Sequence, residues 1–481
     1  MLFVLALVAC DDGPATPPDL GVDAGLDLSV DADSSDLGIP PDGRLDASAP
    51  DVGPDALVDA LVDAAPPPLL CPDRSSPRPP GTWRTRGCAF VVDDDTERLP
   101  RAVVVSGDSL VRDARTSLHT AAEYADLAGR ADWVWLLVTW DGIEPSPGTY
   151  NGAYLGRVCQ QVDLAAAAGL GVVLAMHQER FGPALGGHGL PDWLVPTPAQ
   201  VPPDAPDHPA VQAAWQAFWS DPARPAALVA AWDRLLRTCA GRAGIVGVHP
   251  LVDVRGPAEA TAALFQEIRT LAEASFGPLL MFYDGEVVGS GPDVVRAPTA
   301  FGPGRGPAGA VSPADATLWL AAEATRARRE GVPLFVRGAG ADELDAALAQ
   351  VEEVGAAFAV WHDGFGLDAL ALRDDEGRPN DRFPVALDRT RPLALAGVLR
   401  GFGPEAGEGA MGWRLRWHAD GRNAGLSRIA VGPLGPDPVA TLEPPETQWF
   451  SGFDAITGEL SVFVQGAAGP VVLHLQPRGV P

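Results

Sequence analysis

Two apolar runs with a helical pattern between them restrict the fold of this chain more than any other feature. The first run, Trp133 to Thr139, ends in the polar, aromatic loop Trp140-Asp141-Gly142-Ile143-Glu144-Pro145. Leu155, Val158, Val162, Ala165 and Ala166 then fall on one helical face, and Gly169 ends it. The second run, Leu170 to Met176, closes on His177-Gln178-Glu179-Arg180. Continuous apolar runs mark parallel strands buried on both faces, and a helix between them supplies the right-handed crossover. The stretch predicts strand, helix, strand, with polar groups at the strands' carboxyl ends, where a (β/α) barrel carries its chemistry.

The alternation continues on both sides. Strands are predicted at Arg101–Gly107, Asp132–Trp140, Leu170–His177, Ile245–Asp253, Pro278–Asp284, Val295–Phe301, Val332–Gly338 and Ala357–Trp361. Helical patterns fall at Ala121–Gly129, Tyr154–Ala168, Val211–Phe218, Pro225–Ala240, Ala258–Ser275, Pro313–Glu330 and Ala341–Val354. This predicts an α/β fold, a (β/α)8 TIM barrel over residues 83–390. After Arg391 the helical patterns stop. Short runs at Trp413–Trp417, Ser427–Val431, Leu460–Val464 and Val471–Leu475, with Gly and Pro between them, predict a small antiparallel β-sandwich over 391–481.

The amino-terminal residues differ in kind. Residues 11–70 hold fourteen Asp, one Arg, no Glu and no aromatic residue. Such a segment cannot bury enough apolar surface to offset its ordering entropy, so a disordered acidic tether is expected. It carries −13 of the chain's formal −28, leaving −15 on the other 421 residues. That balance excludes nucleic acid, whose phosphates need basic patches. Met1–Cys10 is a short apolar run ending Leu7-Val8-Ala9-Cys10, too short to span a bilayer. It fits the end of a secretory signal and resembles the bacterial lipobox, with Cys10 as the lipidated residue. A lipid-anchored protein of the bacterial cell envelope or surface is expected. Four cysteines remain, and an even number in an exported chain suggests disulfides. Cys71–Cys88 with Cys159–Cys239 is the preferred connectivity of the three possible. No metal-ligand spacing is present, no cofactor is expected, and a monomer is.

Three strings carry a family resemblance: Trp140-Asp141-Gly142-Ile143-Glu144-Pro145 with Pro147-Gly148-Thr149-Tyr150, then Met176-His177-Gln178-Glu179, then Gly189-Leu190-Pro191-Asp192-Trp193. The chain is similar in them to glycoside hydrolase family 5, and within it to the endoglycoceramidase-like group. Arg391-Pro392 and Ala396-Gly397 look like that group's junction to its sandwich. The resemblance implies retaining hydrolysis, in which two carboxyls ~5–5.5 Å apart act as acid/base and nucleophile, from the ends of strands four and seven. Here Asp253 stands at the acid/base position, one methylene short of the family's Glu, and Val252 where its Asn would be. Gly338 stands at the nucleophile position and offers no carboxylate. Trp135 corresponds to the family's strand-two Arg.

Around these positions, Trp140, Tyr283 and Trp361 are candidates for a platform on which sugar rings stack. His177 and Glu179 end strand three, and Asp284 and Glu286 end strand five, where either acid would make a new carboxylate pair with Asp253. Arg255 and Arg337 are candidates for binding an anion or for neutralising Asp253. The expected function is a catalytically inactive pseudo-enzyme that binds glycan or glycolipid. An active glycosidase with a rearranged carboxylate pair and a structural envelope protein are the alternatives.

Overall fold

Eight parallel strands form the barrel: β1 (Arg101–Val105), β2 (Trp133–Val138), β3 (Gly171–Met176), β4 (Ile245–His249), β5 (Leu280–Tyr283), β6 (Val294–Arg296), β7 (Phe335–Ala339) and β8 (Ala357–Val360). The computed structural model describes residues 82–92, 96–105, 119–202, 205, 207–284, 291–299, 305–306, 309–310, 313–339, 344–360, 371–374, 376–405, 412–419, 425–466 and 469–478. The strands lie in the order β7-β8-β1-β2-β3-β4-β5-β6. Parallel bridges from Arg296 to Leu334 and from Thr299 to Arg337 close β6 onto β7. The expected β6 is cut to three residues, because Pro298 has no N–H to donate to a ladder. The expected signal, the tether and Cys71 lie outside the described residues.

Helices α1 (Ala121–Leu127), α2 (Gly152–Ala167), α3 (Pro209–Ser220), α4 (Ala223–Thr238), α5 (Ala258–Phe276), α6 (Pro313–Glu330), α7 (Leu344–Glu353) and α8 (Arg382–Leu387) accompany the strands. In α2 the Asn151 side chain accepts from Tyr154 N at 3.1 Å, capping the first turn. The helix buries Leu155, Val158, Cys159, Val162 and Ala165. Cys159 is joined to Cys239, at the end of α4, by a disulfide with Cα atoms 5.2 Å apart. Cys88 is also disulfide-bonded.

Alternate residues of each strand point inward. Trp133, Trp135, Phe282 and Phe335 fill the barrel interior together with small residues of other strands. Phe335 stacks on both indoles, with centroids 5.7 Å from Trp133 and 5.2 Å from Trp135. Gly247 makes room for Phe282, since a Cβ on it would stand 2.6 Å from that ring. At the amino end a three-stranded hairpin sheet, Arg84–Arg98, places Trp83 and Phe90 against Trp133.

The sandwich has two four-stranded antiparallel sheets, one built from β9 (Arg391–Ala394), β12 (Leu426–Ala430), β14 (Gln448–Asp454) and β15 (Glu459–Gln465), the other from β10 (Gly397–Glu405), β11 (Gly412–Ala419), β13 (Val439–Glu443) and β16 (Gly469–Gln476). Glu97 of the hairpin joins it to the barrel. Its backbone exchanges hydrogen bonds of 3.0 and 2.9 Å with Leu395, and its carboxylate accepts from Leu399 N at 2.8 Å. Burial pushes its carboxyl up to about 7, against the smaller opposing pull of the Leu399 N–H, Arg86 and Arg400. A carboxyl raised on folding contributes stability that is full below its unfolded pKa and lost as pH rises through its folded one. Between about pH 4.5 and 7 the Glu97 contribution, about 3 kcal/mol, is expected to fade. Urea denaturation of Glu97→Gln should show a flatter pH profile across that window, and an unchanged profile would refute this source.

Candidate functional site

At the carboxyl end of the barrel, inward-facing positions bring His249, Asp284 and Arg337 together beneath Asp253. The indole of Trp135 forms the floor. Arg337 lies over it with the guanidinium carbon 5.8 Å from the ring centroid, and His249 meets its edge at 5.8 Å. Arg337 is almost wholly buried and fully engaged along one edge: Nε donates to Ala297 O at 2.8 Å, and Nη2 donates to Asp284 Oδ2 at 2.7 Å. The same Nη2 donates to Thr299 Oγ1 and lies 3.5 Å from Asp253 Oδ1. Thr299 Oγ1 in turn donates to Asp253 Oδ1 at 2.8 Å.

Asp253 sits three residues beyond the buried turn His249-Pro250 and holds a left-handed backbone, φ 49°. Its N–H donates to Asp284 Oδ2 at 2.7 Å. Its side chain keeps 38% of its surface open, against 2% for Arg337 and 3% for Asp284. Asp253 is therefore the member of the cluster that meets solvent. Asp284 is held well above the ordinary carboxylate range by burial first and by the neighbouring Asp253 charge second, with Arg337 and the Asp253 N–H opposing. His249 is held well below its ordinary value by burial and then by Arg337, so its imidazole is neutral. Both its ring nitrogens and Asp284 Oδ1 are buried without a hydrogen-bond partner among the described residues.

Gly338 follows Arg337 at a left-handed φ of 73°, where the β7–β8 register shifts. Glycine takes this conformation freely, and a side chain there costs roughly 1–2 kcal/mol. The backbone at the strand-seven position is thus shaped for a residue without a side chain.

Several expected site residues stand elsewhere. Trp140 is fully buried and opens a one-turn helix, Trp140–Ile143, that carries it to the helix side of the barrel. There it meets Trp193 and Phe218 and donates to Glu144 Oε2 at 2.8 Å. The expectation of a Trp140 platform is corrected: no ring face is open. Tyr283 is corrected likewise. It is one residue out of step with inward-facing Phe282, and its hydroxyl donates to Glu330 of α6 at 2.5 Å. Glu179 pairs with Arg180 at 2.6 Å and with His188 at 3.6 Å. Arg255 pairs with exposed Asp207, which leaves Arg337 as the neutralising arginine. His177 is buried at the end of β3. Trp361 and Glu286 lie outside the described residues. Sequence reading missed Thr299, His249 and Gln178. Inward parity along β4 was the available signal for His249.

No family model matches the chain. Over 120 residues it is 30% identical to endoglycoceramidase I of Rhodococcus hoagii (strain 103S), a stretch that is 24% of this chain and 24% of that protein. The chain thus spans about a quarter of that relative's length in the match. Among solved structures it resembles endo-glycoceramidase II from Rhodococcus sp. in its ganglioside GM3 complex, at TM-score 0.61 and 19% identity over 83% of this chain and 100% of that one. An endogalactoceramidase follows at TM-score 0.57 and 18% identity, over 82% and 100% of the two chains. Sterylglucosidase 1 from Cryptococcus neoformans gives TM-score 0.64 at 11% identity, over 86% and 99%. These likenesses establish a barrel with an appended sandwich.

Proposed function

We propose that this chain is an exported, lipid-anchored, endoglycoceramidase-like protein of the cell envelope that binds a glycan, or the head group of a glycolipid, and does not hydrolyse it. One observation carries the reading. At the end of β7, where double displacement needs a carboxylate nucleophile, Gly338 stands in a left-handed conformation beside an Arg337 that ties up both nearby carboxyls. The open face of Asp253 supplies hydrogen-bond acceptors for sugar hydroxyls. The glycolipid class is suggested by the solved neighbour's GM3 complex.

A second reading, an active glycosidase using Asp253 and Asp284, is favoured by their proximity and by the raised Asp284. It is the weaker one. The two carboxyls share one guanidinium nitrogen, Arg337 Nη2, at 3.5 and 2.7 Å, whereas an inverting pair stands ~6.5–9.5 Å apart to admit water.

The test incubates purified protein with aryl β-glycosides and with phosphatidylcholine vesicles carrying GM3. We expect binding to the vesicles and no sugar release. We also expect no release from Gly338→Glu, whose new side chain meets an unfavourable left-handed backbone. Turnover by the unsubstituted protein that disappears in Asp253→Ala would overturn the proposal, and so would absence of vesicle binding by folded protein.

A further inference from the structure

A left-handed aspartate does not hold itself in place. Strained backbone persists only where its surroundings over-determine it, and it clusters at functional sites. The side-chain amide of Gln178, just beyond β3, is the group that reaches Asp253's backbone carbonyl. Gln178 is buried, and its Nε2 donates to two consecutive carbonyls, Val252 O at 3.1 Å and Asp253 O at 3.0 Å. Its Oε1 accepts from Phe181 N at 2.8 Å. Phe181 is itself left-handed, φ 73°, as is Arg180, φ 49°. One amide therefore ties the left-handed turn after β3 to the left-handed residue after β4. On the other side Val252 N donates to Met176 O at 2.9 Å.

We infer that Gln178 is a positioning residue: by gripping the carbonyls of Val252 and Asp253 it sets the left-handed turn that presents the Asp253 carboxylate at the barrel mouth. Without it, two carbonyls and one N–H lose their partner, and Asp253 relaxes toward the right-handed region. Its N–H then leaves Asp284, and its carboxylate leaves Thr299. Gln178 itself touches neither that N–H nor that carboxylate.

Two measurements test this, and the second rests on the glycolipid-binding reading above. The first is hydrogen exchange of the segment Leu251–Val254, with α2 and α5 as internal controls. In Gln178→Ala the Asp253 amide should exchange about tenfold faster or more, the scale set by one or two lost hydrogen bonds, while the helices keep their protection. Should that variant unfold, Gln178→Glu serves instead, since it keeps an acceptor for Phe181 N and loses both donors when ionised. An Asp253 amide unchanged in a folded variant overturns the inference. The second measurement is affinity for the GM3 vesicles. Gln178→Ala should weaken it about tenfold, and no further when added to Asp253→Gly, whose glycine takes the left-handed turn freely. Equal, multiplying losses in both backgrounds would mean that Gln178 does not act through Asp253, and would overturn the inference. If the unsubstituted protein does not bind the vesicles, the proposed function fails, and the exchange result alone decides on Gln178.

Discussion

Replacing Arg337 with leucine is expected to destabilise the barrel by about 3–5 kcal/mol, the cost of leaving a buried charge without its partner. The loss falls on Asp284, which is 3% exposed and would keep, among the described residues, the Asp253 N–H and a neutral His249 beside it. Its carboxyl would be driven higher still, because the guanidinium is the principal charge opposing its protonation. The destabilisation should therefore be smaller at pH 5, where Asp284 is more readily neutral, than at pH 8. Urea denaturation at the two pH values reads this directly. The double substitution Arg337→Leu with Asp284→Leu should recover most of the loss, since replacing a whole buried pair with apolar groups is often neutral or better. A double variant as unstable as the single one would show that Arg337 contributes through its contact with Trp135 instead.

The second large effect concerns the outer layer. Cys159 and Cys239 are 80 residues apart in sequence, so their bridge removes much of the freedom of the unfolded chain. The loop-entropy relation gives about 4.5 kcal/mol for a loop of that length. The segment it closes contains β3 and helices α3 and α4, and therefore the turn after β3 from which Gln178 grips Asp253. Cys159→Ser with Cys239→Ser should unfold at clearly lower denaturant, with a larger m-value because the unlinked denatured chain exposes more surface. A loss under ~1 kcal/mol would mean that the unfolded chain stays compact around this segment without the bridge.

Much of the barrel was legible because its strands are apolar on both faces and its helices are not. The strand-helix-strand unit from Trp133 to Met176 needs no tertiary information. The site was legible only in part. Arg337 as the neutraliser of Asp253, and Asp284 as a nearby carboxyl, follow from placing both at strand ends. Trp140 and Tyr283 misled for a local reason: standing at a strand end is not the same as facing inward. Phe282 points into the barrel, so Tyr283 must point out, and the Thr139 hydroxyl accepts from Gly142 N at 3.2 Å and turns Trp140 into a helix. The left-handed turns at Arg180, Phe181 and Asp253 left no mark, because none of the three is glycine. In the sandwich, β10 was hidden by its own Gly397, Gly401, Gly403 and Pro404, which read as loop residues. β14 has Trp449 and Phe450 side by side and Phe453 three residues on, so it lacks the alternation that marks a strand with one buried face.

The aromatic pile of Trp133, Phe335 and Trp135 has a consequence for what can reach the mouth. It makes the barrel a stopped shaft rather than a tunnel, sealed at one end by Trp83 and Phe90 and at the other by the arginine lying on Trp135. Nothing can thread it. A ligand must approach from the carboxyl side and rest across the rim, so the depth at which a sugar ring could settle is set by the Arg337 layer that covers Trp135 and not by the ligand's length.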